Sequence, residues 1–345
     1  MVRRGACGGI PYSRRFCRQV ALCVLALAVE PLLAAQATTR PLAVSQPFIT
    51  VQEAVEEARE WVGRPARERD LNAFTPAARI VYREYMDVKP LRVWIARIDM
   101  SHPNVRPVVT QPADETERRP GFETRSSTTL EFARQTGVQL AINSSSFGPM
   151  RERGGEPMDV IGLAAVDGRT YSTPRDPYGA MYIGRDKRVS LRGPPLKADD
   201  IWIVVPGFRM LLDDGVLVVD EHELNTPFGG MNPRTAVGTD RDGRTLWIVI
   251  VDGRQPGISH GMTLVELACL FKSLGAWDAL NLDGGGSTTF VLQTRSGEPC
   301  VVNTPVGQRF PGTLRQVGNN LGLFLPGVGP ESANLSATSV PDGRP

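Results

Sequence analysis

Apolar residues in this chain fall mostly into short runs broken by turn signals, with a few stretches of helical spacing. Val51 to Val62 repeats apolar positions every three or four residues with Glu and Arg between them, which predicts an amphipathic helix packed on the domain. Ile80–Tyr85 and Leu91–Ile98 are rich in β-branched and aromatic residues and are parted by Asp87 and Pro90, the pattern of paired strands. Charged Gln111–Ser126, with Pro120 and Gly121, predicts an exposed loop. A short helix over Thr128–Gln135 ends at Gly137, and Val138–Ile142 follows as a buried strand running into Asn143.

The middle of the chain is strand-rich. Gly162–Val166, Ala180–Ile183 and Ile201–Val205 predict short strands, and Arg209–Val219 predicts a hairpin turning at Asp214-Gly215. A second hairpin pairs Thr235–Asp240 with Leu246–Val251 around Asp242-Gly243. Thr263 and Glu266 then have the spacing of a capping box, opening a helix through Lys272 with Gly275 just past its end. Asp278–Leu282 and Thr289–Gln293 predict strands on either side of a glycine turn at 284–286. No internal repeat is present. The expected fold is a single α+β domain, a mixed, strand-rich sheet with a few packed helices.

Composition narrows the class. The 345 residues are 41% hydrophobic, and their 35 glycines follow no three-residue period, which excludes disorder and collagen. The net charge of +2 comes from the N-terminus, where Arg3, Arg4, Arg14, Arg15 and Arg18 stand against Glu30 alone. The remainder has 34 basic and 36 acidic residues, so no nucleic-acid partner is expected.

That Arg-rich start, the apolar run Val20–Val29 and the small residues ending at Ala35-Gln36-Ala37 predict an export signal over 1–37, and hence a periplasmic or extracellular protein. The run is too short to cross a bilayer and no stable membrane span is expected after cleavage, an uncleaved anchor being the alternative. Ser13-Arg14-Arg15-Phe16 faintly resembles a twin-arginine signal. Residues 38–76 are expected to form an N-terminal helical segment, 77–326 the main domain, and the Gly/Pro/Ser-rich 327–345 a disordered tail. Cys269 and Cys300 are the cysteines left after cleavage, bridged or free. No Cys/His cluster has zinc spacing, and His102, His222 and His260 are scattered singly.

Three motifs carry candidate chemistry. Asn281-Leu282-Asp283-Gly284-Gly285-Gly286-Ser287-Thr288 ends a strand in an amide and a carboxylate, followed by glycines whose N–H groups an anion or sugar hydroxyls can approach. The same glycines would also serve a tight turn. Asn232-Pro233-Arg234-Thr235 and Asp252-Gly253-Arg254 flank the second hairpin, so Arg234, Arg254 and Asp252 can meet at one sheet edge as an anion clamp, or form a surface turn with a salt bridge. No G-x-S-x-G elbow or Walker A loop is present.

Together NPRTAVG, VDGRQPG, SHGMTLVELA and NLDGGGST, in that order between Asn232 and Phe290, resemble the phosphodiester glycosidase family. Weaker matches are Ala141-Ile142-Asn143 with Phe147, Val302-Asn303-Thr304-Pro305, and Arg315 through Asn319 to Leu323. The resemblance covers about residues 80–326. It implies hydrolysis of the C1–O bond of a sugar-1-phosphodiester, giving free sugar and a phosphomonoester, without a required cofactor. It also implies a cavity lined by Asn143, Arg234, Asp252, Arg254, Asn281, Asp283 and the turn Gly284, Gly285, Gly286 and Ser287. Asp283 would be base or nucleophile, Asp252 the second carboxylate, and Asn143 and Asn281 would hold sugar hydroxyls or an N-acetyl group. Glu266 is a third acid whose spacing favours the capping box. Two rival readings are a phosphodiesterase attacking phosphorus, with a divalent metal at Asp252 and Asp283, and a non-catalytic carbohydrate- or phosphate-binding domain. The chain departs from the family at Asn143-Ser144-Ser145-Ser146-Phe147, where glycine is common, and at Pro206-Gly207-Phe208-Arg209, both bearing on the sugar's identity.

Overall fold

A computed structural model describes residues 49–71, 73–74, 76–192, 200–308, 310–327 and 329–330. The expected leader, residues 38–48 and the tail beyond 330 lie outside the described residues. Among those described, four α-helices accompany a strand-rich body: α1 (Val51–Val62), α2 (Thr129–Thr136), α3 (Glu221–Leu224) and α4 (Leu264–Ser273). None is long and apolar enough to cross a membrane.

The largest sheet has eight strands, in the order Arg67–Asp70, Ala78–Tyr85, Leu91–Asp99, Thr245–Val251, Arg234–Thr239, Asp278–Asn281, Arg209–Asp213 and Val216–Leu217. Its central strands are buried throughout, and alternate residues go to opposite faces. Leu246, Ile248 and Ile250 join one core cluster, while Trp247, Val249 and Val251 join another that includes α1 and α4. Burial on both faces explains why this stretch is continuously apolar rather than alternating. The first cluster is completed by Leu140, Ile142, Phe290 and Leu321 from a five-stranded sheet and by Met181, Ile183, Ile203 and Val205 from another.

Every pairing between named strands in these sheets is antiparallel, which corrects the expected mixed sheet. The reason is local. The crossover through α4 from Thr245–Val251 lands on Asp278–Asn281, but Arg234–Thr239 lies between these two parallel strands and pairs with both. Both sequence-read hairpins form, with the second turn closed by the Asp240 carboxylate accepting from the Arg244 and Thr245 amides. Thr50–Glu53, Thr128–Glu131 and Thr263–Glu266 each build a complete capping box at the start of α1, α2 and α4. The expected exposed loop at 111–126 is half buried instead: Phe122, Glu123, Thr124 and Ser126 pack inward, with Thr124–Arg125 paired to Pro157–Val160. Cys269 and Cys300 are unbridged.

Candidate active site

Three adjacent strands of the large sheet bring their ends to one edge. Arg234 opens one strand opposite Val251, the last residue before Asp252-Gly253-Arg254, and Asn281 closes a third strand opposite Ala236. Backbone bonds then fix the following turn. Leu282 donates to the Thr235 carbonyl, Asp283 to that of Ser144 and Gly285 to that of Pro233. Close approach favours glycine at two points: a Cβ on Gly284 would lie 2.8 Å from the Pro233 carbonyl oxygen, and one on Gly286 would fall on the Arg315 guanidinium, which would have to move.

The turn borders a cavity of about 340 Å³. Of the residues expected from sequence, Arg234, Arg254, Asn281, Asp283, Gly284, Gly285 and Gly286 line it; Asn143, Asp252 and Ser287 do not. Asn143 is a buried tie. Its Nδ2 donates to the Asp283 carbonyl at 2.6 Å, and its Oδ1 accepts from Thr235 Oγ1 and the Thr289 amide. Asp252 turns to the neighbouring segment, where Asn303 Nδ2 and the Thr304 amide donate to its carboxylate at 3.0 to 3.1 Å. Burial pushes Asp252 up to about 7, against the pull of these hydrogen bonds. Ser287 is buried, where its Oγ accepts from Arg315 Nη1 at 3.4 Å and its hydroxyl favours the charged form of Asp283. Glu266 caps α4 and pairs with Lys89, outside the lining. None of the three histidines lines the cavity.

Charge defines the cavity. Arg234 is buried, and its donors go to main-chain oxygens: Met262 at 2.9 Å, Phe228 at 2.7 Å and Gly230 at 2.5 Å. Arg254 donates through Nε and Nη2 to Asn232 Oδ1, at 3.2 and 2.7 Å. Arg315, which the sequence offered only in a weak family match, donates to the Gly307 carbonyl at 3.2 and 3.1 Å and approaches Ser287 Oγ at 3.4 Å. Among the described residues, none of these three guanidiniums has a carboxylate oxygen within 4 Å. Burial and the neighbouring Arg254 pull Arg234 down to about 9, so it remains cationic at neutral pH. Burial lowers Arg315 too, with Asp283 opposing and Arg254 reinforcing the shift.

Asp283 is the sole carboxylate among the described lining residues. Burial raises it to about 6, while the Ser287 hydroxyl, Arg315 and the Gly284 amide favour the charged form. Asn281 is 2% exposed and spends its Nδ2 on the Leu282 carbonyl, leaving Oδ1 without a protein partner. An orphaned buried acceptor and three guanidiniums lacking counter-ions are costly unless something else meets them. An anion with a nearby hydrogen-bond donor satisfies both. Tyr178, Phe208 and Phe228 form the remaining wall, with ring centroids 5.4 and 5.7 Å apart in succession. Of these rings the sequence offered only Phe208, within the Pro206-Gly207-Phe208-Arg209 departure; Tyr178 and Phe228 went unmarked, because each lies in a loop without periodicity. Among the described residues, no three His, Cys, Asp or Glu side chains gather to hold a metal ion.

Residues 136–324 match the family model described as phosphodiester glycosidase. The chain is 27% identical over 186 residues to the mouse (Mus musculus) N-acetylglucosamine-1-phosphodiester alpha-N-acetylglucosaminidase, a match covering 49% of this chain and 34% of that protein. It is 32% identical over 183 residues to the SPbeta prophage-derived uncharacterized protein YomE of Bacillus subtilis (strain 168), covering 49% of this chain and 27% of that one. The chain thus spans about a third or less of the length of these curated relatives. The zebrafish N-acetylglucosamine-1-phosphodiester alpha-N-acetylglucosaminidase catalytic domain, solved auto-inhibited by its pro-peptide, shares the fold. Its TM-score is 0.53 at 19% identity, over 78% of this chain and 92% of that structure.

Proposed function

The chain belongs to the phosphodiester glycosidase family, and from that premise we propose that it hydrolyses the C1–O bond of a sugar-1-phosphodiester, an N-acetylglucosamine-1-phosphodiester or a close analogue. The observation that carries this reading is the gathering, around a single cavity, of one carboxylate, Asp283, and three guanidiniums that have no carboxylate oxygen within 4 Å among the described residues. A phosphodiester supplies the missing negative charge. As the C1–O bond breaks, its electrons leave with the phosphate, and Arg234, Arg254 and Arg315 stabilise that charge where an ordinary glycosidase would protonate an alkoxide. One carboxylate then suffices at the reacting carbon. Raised to about 6, Asp283 is mostly ionised at neutral pH, so it can take the proton of a water attacking C1 or attack C1 itself. Asn281 Oδ1 accepts from a sugar hydroxyl or an N-acetyl N–H. Asp252 and Asn143 act as positioning residues, the first anchoring the 303–304 segment and the second holding the Asp283 main chain. The Arg-rich leader with its apolar run supports action after export.

The test is hydrolysis of an α-N-acetylglucosamine-1-phosphodiester in ¹⁸O water, with and without Asp283→Asn. Label on the sugar, lost in the variant, is the expected result. Label on the phosphate would sink the glycosidase reading in favour of attack at phosphorus.

A further inference from the structure

Arg254 holds a left-handed backbone, φ 58°, which residues with a Cβ rarely adopt. Strain of this kind gathers at binding sites, where the surrounding structure holds it in place. Here the Arg254 amide donates to the His260 carbonyl, and Gln255 and Ser259 close the turn behind it. The guanidinium lies against the turn after Asp283: a Cβ on Gly285 would stand 3.2 Å from Nη2 and 3.3 Å from Nη1. What aims it is Asn232, a buried residue of the cavity lining. Asn232 Oδ1 accepts from both Nε and Nη2 of Arg254, at 3.2 and 2.7 Å. Its Nδ2 donates to the Pro227 and Gly230 carbonyls, which fixes the orientation of the amide. Arg234 shares this frame. Its Nη2 donates to the same Gly230 carbonyl, and its Nε to the Met262 carbonyl that also accepts from the Asn232 main chain.

Two guanidiniums are thereby tied to one amide side chain and its loop, through neutral partners. A carboxylate at position 232 would meet the Nε and Nη2 edge of Arg254 equally well, but would cancel its charge, as Asp214 does for Arg192 in the neighbouring cavity. An amide keeps the aim and leaves the charge. We propose that Asn232 is a positioning residue of the anion site, a neutral bracket that fixes Arg254 against the Asp283 turn without neutralising it. This rests on the reading of the cavity as a phosphodiester site. The rival account is that Asn232 only closes the 227–230 loop.

The experiment compares Asn232→Asp and Asn232→Ala, each alone and combined with Arg254→Met, in the full chain. Calorimetry with inorganic phosphate at pH 7.5 reads the charge. Asn232→Ala should weaken binding about 3-fold and Asn232→Asp at least about 10-fold, because the added carboxylate also cancels Arg254. Steady-state hydrolysis of an α-N-acetylglucosamine-1-phosphodiester reads the aim. Asn232→Ala should lower kcat/KM about 10-fold in the wild type and less than about 2-fold in the Arg254→Met background, since its effect passes through that arginine. Asn232→Ser, which keeps a short acceptor, replaces an alanine variant that fails to fold, and the cycle alone decides if Asn232→Asp does. Equal losses in both backgrounds, phosphate binding as strong in Asn232→Asp as in Asn232→Ala, or no phosphate binding by the wild type would overturn the inference. The expected order of phosphate affinities without any turnover would instead remove the glycosidase reading and leave Asn232 in its role.

Discussion

Two cavities share Tyr178 as a lining residue, and they treat their arginines in opposite ways. In the larger, about 660 Å³, Arg192 bonds both oxygens of Asp214 and one of Asp278, and Arg209 pairs with Glu223. In the smaller, Arg234, Arg254 and Arg315 meet, among the described residues, only carbonyl, amide and hydroxyl oxygens. The larger space is electrostatically closed on itself; the smaller is left with uncompensated positive charge and an orphaned amide oxygen. Volume therefore does not identify the site here. Charge left for a ligand does.

The largest way to break the contrast is to remove the carboxylate from the cationic cavity. Asp283→Asn should lower kcat/KM by about 10³-fold in a steady-state assay, within the range for loss of a positioned base or nucleophile. Arg254→Met should cost about 10²-fold, the scale seen when one group stabilising developing negative charge is lost. A subtler probe leaves every charge in place. Gly286→Ala puts a methyl group where Nη2 of Arg315 lies, so it should displace that guanidinium and cost about 10-fold in kcat/KM. At the other end, Arg192→Met should leave kcat/KM within about 3-fold while lowering the thermal midpoint by about 2–4 °C, since its pairs are partly exposed and structural.

The pH dependence has two opposite signs. Activity needs ionised Asp283, so kcat/KM should rise with pH through about 6 and level above it. Stability runs the other way. A carboxyl raised from 3.8 to about 6 on folding holds its proton better in the folded state, so its unfavourable contribution develops as pH rises from near 4 to above 6. Asp283→Asn should then be more stable than wild type at pH 7.5, with the difference vanishing below pH 4, as read from denaturant midpoints.

Much of this was legible because it is local. Thr263 and Glu266 announce their capping box by spacing alone, and Asp242-Gly243 marks the turn that carries Arg234 and Arg254 to one edge. The sequence did not reveal which way a side chain turns. Asp252 follows its strand as expected, yet Asn303 and Thr304, some fifty residues later, draw its carboxylate away from the cavity. Asn143 likewise ends its strand where predicted but spends its amide on Asp283, Thr235 and Thr289. Arg315 was the converse case. The sequence offered it only at the start of a weak family match, and nothing in its own loop shows that its guanidinium reaches the space left by the glycine at 286. The antiparallel sheet was missed because sequence order cannot reveal that one strand lies between the two joined by α4.

The central claim is that the arginines of the smaller cavity are free for an anion and those of the larger are not. Calorimetric titration with inorganic phosphate tests it on the wild type, Arg254→Met and Arg192→Met. Binding should be seen in the wild type and in Arg192→Met and be lost in Arg254→Met. Binding that survives in Arg254→Met but disappears in Arg192→Met would contradict the account and move the anion site to the other cavity.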